Sequence, residues 1–99
     1  MKRLKIYCAL FRYRDTQGDI VTQPIWLVAY SLAEAKKFYS EAVTYKIFHP
    51  PIDWKFIDIV EGLYRWDFEN KELVAMNTKT ISTERRQSMY MRLKEMATS

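Results

Sequence analysis

The chain's strand-like segments are apolar on both sides, and only two stretches of helical periodicity exist to cover them. Side chains alternate across a strand. Along the first segment, Leu4, Ile6, Cys8 and Leu10 therefore share one side, and Tyr7, Ala9, Phe11 and Tyr13 the other. The same holds from Ile25 to Tyr30, where Ile25, Leu27 and Ala29 alternate with Trp26, Val28 and Tyr30. Two helices on one face of such a sheet leave the second face open to water, a costly arrangement that calls for a partner, a ligand or a twin subunit.

The 99 residues suit one domain, residues 1–99, with a single core. The composition is globular, with 48% hydrophobic, 28% charged and 15% aromatic residues. One cysteine and one histidine supply neither an internal disulfide nor a conventional zinc site, and no cofactor is expected. The basic start, Met1 to Lys5, resembles a signal n-region, but its apolar run ends at Arg12 and reads as a strand. No run approaches the roughly 20 apolar residues that span a bilayer, so a cytoplasmic protein without membrane contact is expected.

Leu4 to Arg14 and Asp19 to Tyr30 flank Asp15-Thr16-Gln17-Gly18, whose polar residues and glycine are hairpin chemistry. Pro24 cannot donate to a ladder, which places its part of the second strand at an edge or bulge. Ser31-Leu32-Ala33-Glu34 is a capping box. The apolar face that follows, Leu32, Ala35, Phe38, Tyr39, Ala42, Val43 and Ile47, predicts a helix that runs to His49-Pro50-Pro51. Trp54 to Val60 and Leu63 to Phe68 read as one bent strand or two short ones, broken at Gly62. Leu73 to Ile81 returns after a polar turn, and Ser82 or Thr83 caps a last helix with the stripe Met89, Leu93 and Met96. The expected fold is α+β: a ββαββα two-layer sandwich, a mostly antiparallel sheet with two helices on one face.

Chemistry is sparse. The two glycines lie outside any phosphate-cradling loop. Cys8 sits in an apolar strand row and reads as a core thiol, while His49, before two prolines, reads as an exposed loop residue. Asp53, followed by Glu69-Asn70-Lys71, loosely resembles the acid and acid-x-lysine pattern of metal-dependent nucleases, but the triplet falls in a predicted turn. That reading ranks third, and no catalytic or metal-binding residue is assigned.

The aromatic residues and the charge pattern point to binding. Tyr7, Phe11 and Tyr13 line one side of the first strand, and Tyr64, Trp66 and Phe68 one side of a later one. Both rows serve either as core under the helices, as a face for a protein or a second copy, or as a platform on which nucleic-acid bases stack. Charge is segregated: Lys2, Arg3, Lys5, Arg12 and Arg14 precede the first acid, six acids lie between Asp53 and Glu72, and Lys79, Arg85, Arg86, Arg92 and Lys94 follow. Mutual neutralisation of the basic ends and the acidic middle is the first expectation for this arrangement. Arg85 and Arg92 lie seven apart on one helix face, and Met91 points away from the apolar stripe. These residues predict a small non-enzymatic interaction protein, an adaptor or inhibitor that occupies another macromolecule's surface and is a candidate homodimer. Accessory proteins of phages and mobile elements are analogous. A single-stranded nucleic-acid-binding module is the second expectation.

Overall fold

The computed structural model describes residues 3–39 and 53–98. Within these residues, five strands in two antiparallel sheets and two helices form an α+β fold. β1 (Lys5–Arg14) and β2 (Ile20–Ala29) make the first hairpin, in register from Lys5 opposite Ala29 to Arg14 opposite Ile20. The turn forms because the Asp15 carboxylate accepts from the backbone N–H groups of Gln17 and Asp19, both at 2.9 Å, while Gly18 takes a φ of 83°. β3 (Lys55–Glu61) pairs with the other edge of β1, giving the order β2-β1-β3 with an irregularity opposite Leu10 and Phe11. Pro24 lies on the edge strand β2, where its missing N–H disrupts no second ladder.

α1 (Leu32–Phe38) starts as the capping box requires: Ser31 Oγ accepts from Glu34 N–H at 3.1 Å. Glu34 Oε1 reaches one residue further back than the simple box, to the N–H of Tyr30 at 2.8 Å. The helix ends at Phe38, short of the expected run to Ile47, because Tyr39 turns extended and stacks on Phe56 at 4.4 Å between ring centroids. The expected helical residues beyond it, with His49 and the two prolines, lie outside the described residues.

The chain breaks at Gly62, whose φ of 120° is open to glycine and strained for other residues. The segment is thus two strands, β3 and β4 (Leu63–Asp67), and β4 pairs with β5 (Glu72–Met76) in a separate two-stranded sheet. β5 is shorter than the expected Leu73 to Ile81, since Asn77 caps a 3-10 turn over Thr78–Thr80. α2 (Thr83–Thr98) follows, with Ser82 Oγ accepting from Arg85 N–H at 3.2 Å. Its stripe behaves as read: Leu93 is fully buried, and Met89 and Met96 pack partly buried against the core.

The second hairpin answers the question of the uncovered face. Phe11 meets Tyr39, at the end of α1, at 5.7 Å and Trp54, just before β3, at 5.6 Å, so the Tyr7–Ala9–Phe11 side of β1 faces the end of α1 and the approach to β3. The Tyr64 backbone lies beside the Cys8 thiol and β4 lies against β2 and β1, so the opposite side, with Ile6, Cys8 and Leu10, lies beneath β4. Lys71, in the β4–β5 turn, pairs with Asp19 at 3.4 Å and ties the hairpin tip to the first turn. The expectation of an open second face is therefore corrected: the chain covers that face with its own β4–β5 hairpin. β1 is the buried centre, with Ile6 through Phe11 all buried.

Candidate binding cleft at the basic end

The structure separates the residues singled out for binding. Tyr7 (3% exposed) and Phe11 (0%) are core, so the first aromatic row forms no accessible platform. Burial pushes the phenols of Tyr7 and Tyr13 above the ordinary tyrosine value, Tyr13 being half-buried at the strand end. In the second row, Tyr64 and Trp66 are half-buried, with Tyr64 against the core, and only Phe68, in the turn, stands out at 65% exposed. The two rows do not meet on one open surface, because the strand carrying the second row folds over the sheet face opposite the first. Met91 is exposed at 59%. Arg85 and Arg92 are exposed on α2, with the Arg85 guanidinium 5.5 Å from the centre of the Trp26 ring.

The acid and acid-x-lysine pattern is dispersed. Asp53 accepts from the Arg14 backbone N–H at 3.1 Å, and Lys71 is paired with Asp19. In the turn it is Asp67 that accepts from Asn70 and Glu69; these hydrogen bonds, the Asn70 side chain first, hold its carboxyl below the usual range. Among the described residues, no three His, Cys, Asp or Glu side chains come together as metal ligands. Cys8 is fully buried, and burial pushes its thiol up.

Neutralisation of the basic ends is incomplete. Lys5 pairs with Glu61 at 3.5 Å, which joins the N-terminal bases to the acidic middle as expected. Lys36 and Lys71 take two further acids, Asp58 and Asp19. Among the described residues, no ion pair joins Arg3, Lys79, Arg85, Arg86 or Arg92 to a carboxylate. Arg12, Arg14, Lys37, Lys55 and Arg65 are likewise in no ion pair among the described residues, so what marks this end is the gathering of Arg3, Lys79, Arg85 and Arg86 where β1 begins and α2 starts.

A cleft of about 740 Å³ opens at that end. Arg3 and Leu4 line it from the start of β1, Tyr30 from the end of β2, Thr78, Lys79, Ile81 and Ser82 from the connection, and Thr83, Arg86 and Gln87 from the first turns of α2. Arg86 organises this junction. Its Nε donates to the Ile81 carbonyl at 3.0 Å, one Nη to the Leu4 carbonyl at 3.3 Å, and the other to the Thr78 carbonyl at 2.6 Å. One side chain thus ties the start of β1 to the 3-10 turn and the helix cap. Three of the five guanidinium N–H donors are occupied by carbonyls, and the charge itself meets no carboxylate. Tyr30, 39% exposed, packs edge-on against Tyr90 at 5.1 Å. Tyr90 is held in turn by Glu34, whose Oε2 accepts from its hydroxyl at 2.8 Å. That hydrogen bond, with burial second, pushes the Tyr90 phenol up to about 12.

Sequence reasoning selected Arg85 and Arg92 on this surface and missed Arg3, Tyr30, Lys79 and Arg86. The one sequence-level sign was the hydroxyl-rich run from Thr78 to Thr83, bounded by Lys79 and the Arg85-Arg86 pair. No protein family, curated protein or solved structure matches the chain. Among the described residues, no helix is long and apolar enough to cross a membrane.

Proposed function

We propose that this chain is a small non-enzymatic interaction protein that docks through its basic end on the anionic surface of another macromolecule. The observation that carries this reading is the convergence of Arg3, Lys79 and Arg86 on one cleft with no acid among its described lining residues, with Arg85 and Arg92 exposed on the same helix as Arg86. Exposed cations gathered on one end of a small protein create a field that concentrates an anionic partner and steers its approach. A binding role also agrees with the buried cysteine, whose raised thiol lacks the thiolate character of a nucleophile. The sheet face that invited self-association is covered by the second hairpin, which moves the docking surface to α2 and the cleft.

The test separates the position of charge from its amount. Arg85→Glu/Arg92→Glu at the basic end and Lys55→Glu/Arg65→Glu on β3 and β4 change net charge equally. On immobilised heparin along a salt gradient, the α2 pair is expected to elute at distinctly lower salt than the wild type, and the strand pair close to it. Equal shifts for the two variants would mean that only net charge matters, and the assignment of a docking end would fail.

A further inference from the structure

We infer that the cleft at the start of α2 seats a phosphate of a single-stranded nucleic acid, with a neighbouring base lying on Tyr30. The inference rests on the basic end being the docking face, and it gives that face a ligand chemistry.

Three cations from separate segments, Arg3, Lys79 and Arg86, converge on the cleft, and no acidic residue is among the described residues that line it. Arg86 is fixed before any ligand arrives, because three carbonyls hold its guanidinium; two N–H donors remain for an incoming oxygen. Preorganised donors lose little freedom on binding. Hydroxyl groups of Thr78, Ser82 and Thr83 stand beside the cations. A tetrahedral phosphate presents acceptor oxygens in several directions and suits this mixed set of donors. A planar carboxylate uses fewer of them.

Size and the aromatic rim favour a nucleotide over an acidic peptide. At about 740 Å³ the cleft has room for more than one phosphate. Tyr30, 39% exposed as a residue, lines it, and its ring is held by the Tyr90 contact. Base-on-aromatic stacking requires an unpaired base, which makes the ligand a single strand. An acidic peptide has no group that uses the ring.

The probes are a fluorescein-labelled oligouridylate of roughly 12 nucleotides, within the usual site-size range, and a labelled polyglutamate peptide of matched charge. Binding is followed by anisotropy over a NaCl series. Arg3→Ala/Lys79→Ala is the informative variant, because both side chains are exposed and neither makes a side-chain hydrogen bond or ion pair among the described residues. Arg86→Ala breaks three hydrogen bonds and serves only as a folding comparison. The wild type is expected to bind the oligonucleotide more tightly than the peptide. The variant is expected to lower the log–log salt slope by about 0.7, the value for one lost phosphate contact on a single strand. Tyr30→Ala is expected to weaken binding without changing that slope. An unchanged slope in Arg3→Ala/Lys79→Ala, with binding still lost in Arg85→Glu/Arg92→Glu, would overturn the cleft and leave the docking end standing. Preference for polyglutamate would overturn the nucleic acid and make the partner an acidic protein. Failure of both probes to bind would overturn the docking end as well.

Discussion

Replacing Gly62 with alanine tests whether the β4–β5 hairpin covers the sheet, and Cys8 is a built-in reporter of the answer. Gly62 has a φ of 120°, and an added Cβ would lie 3.0 Å from a carbon of the Tyr64 ring. A non-glycine residue in such a region costs about 1–3 kcal/mol. The Tyr64 ring cannot give way freely, because it packs against the core and its hydroxyl donates to the Glu61 carbonyl at 3.3 Å. The strain falls on the link between β3 and β4, so lifting the hairpin relieves it. Cys8, the one cysteine of the chain, is fully buried on the face the hairpin covers. A thiol reagent reaches it only through opening. At tenfold per 1.4 kcal/mol, a cost of about 1–3 kcal/mol raises the native-state labelling rate about 5- to 150-fold. Labelling with an aromatic disulfide reagent, followed by absorbance, gives the rate, and urea denaturation gives the global stability for comparison. Wild-type Cys8 reacting as fast as the unfolded chain would refute the covered face, and an unchanged rate in Gly62→Ala would refute the strain argument.

Phe11→Ala removes the ring at the centre of the Tyr39, Trp54 and Phe56 contacts. It is expected to cost about 3–5 kcal/mol, read as a lower urea midpoint; a loss below about 1 kcal/mol would contradict the burial. Tyr90 keeps its proton in the folded protein up to about 12, against an ordinary value of 10.0. The unfolded chain therefore loses that proton first, and the stabilisation, complete below the ordinary value, is lost as pH rises from about 10 to about 12. Phenolate absorbance should show this late titration, and Tyr90→Phe should remove it and flatten the alkaline loss of stability. For Asp67 the sign reverses, since its carboxyl is held below the ordinary value of 3.8 chiefly by the Asn70 side chain. Asn70→Ala should move its titration upward in a carboxyl-detected NMR series, and no movement would place the cause elsewhere. Ser82→Ala removes the cap of α2. A loss of about 1 kcal/mol is expected in thermal unfolding, and none would mean that the cap hydrogen bond contributes nothing.

Local features of the fold were legible where a few neighbouring residues decide them. Asp15 to Asp19 close a turn, Ser31 and Glu34 start a helix, Gly62 breaks a strand, and Leu93 faces inward between Met89 and Met96; each depends on spacing alone. The α+β class follows from these. Three features were not legible, because the decisive contacts join distant segments. The periodicity of Leu32 to Ile47 does not reveal that Tyr39 leaves the helix to stack on Phe56, a residue of β3. Alternation in β4 shows that Tyr64 and Trp66 share a side without showing which surface they cover. Arg86 stands in the sequence as one more charge on a helix flank, and only the return of the chain to Leu4 makes it the tie of the basic end. The binding residues named from sequence were the conspicuous aromatics with Arg85, Met91 and Arg92, and of the aromatics Tyr7 and Phe11 went to the core. The cleft is lined mostly by small hydroxyl and basic side chains whose association is tertiary.

The position of β1 has a consequence for the newly made chain. Lys5–Arg14 is synthesised well before its second neighbour, β3, which begins only at Lys55. At about 5–20 residues per second, making residues 30–54, between the end of β2 and the start of β3, takes on the order of 1–5 s. During that interval the first hairpin has an unpaired edge and two apolar faces with neither layer in place. Such an edge is a template for pairing with another chain. The species most prone to aggregate is thus a nascent chain whose β1–β2 hairpin waits for β3 and for the layers that cover it. Recovery on refolding from denaturant is expected to fall steeply with concentration, although the finished fold keeps that same strand out of reach.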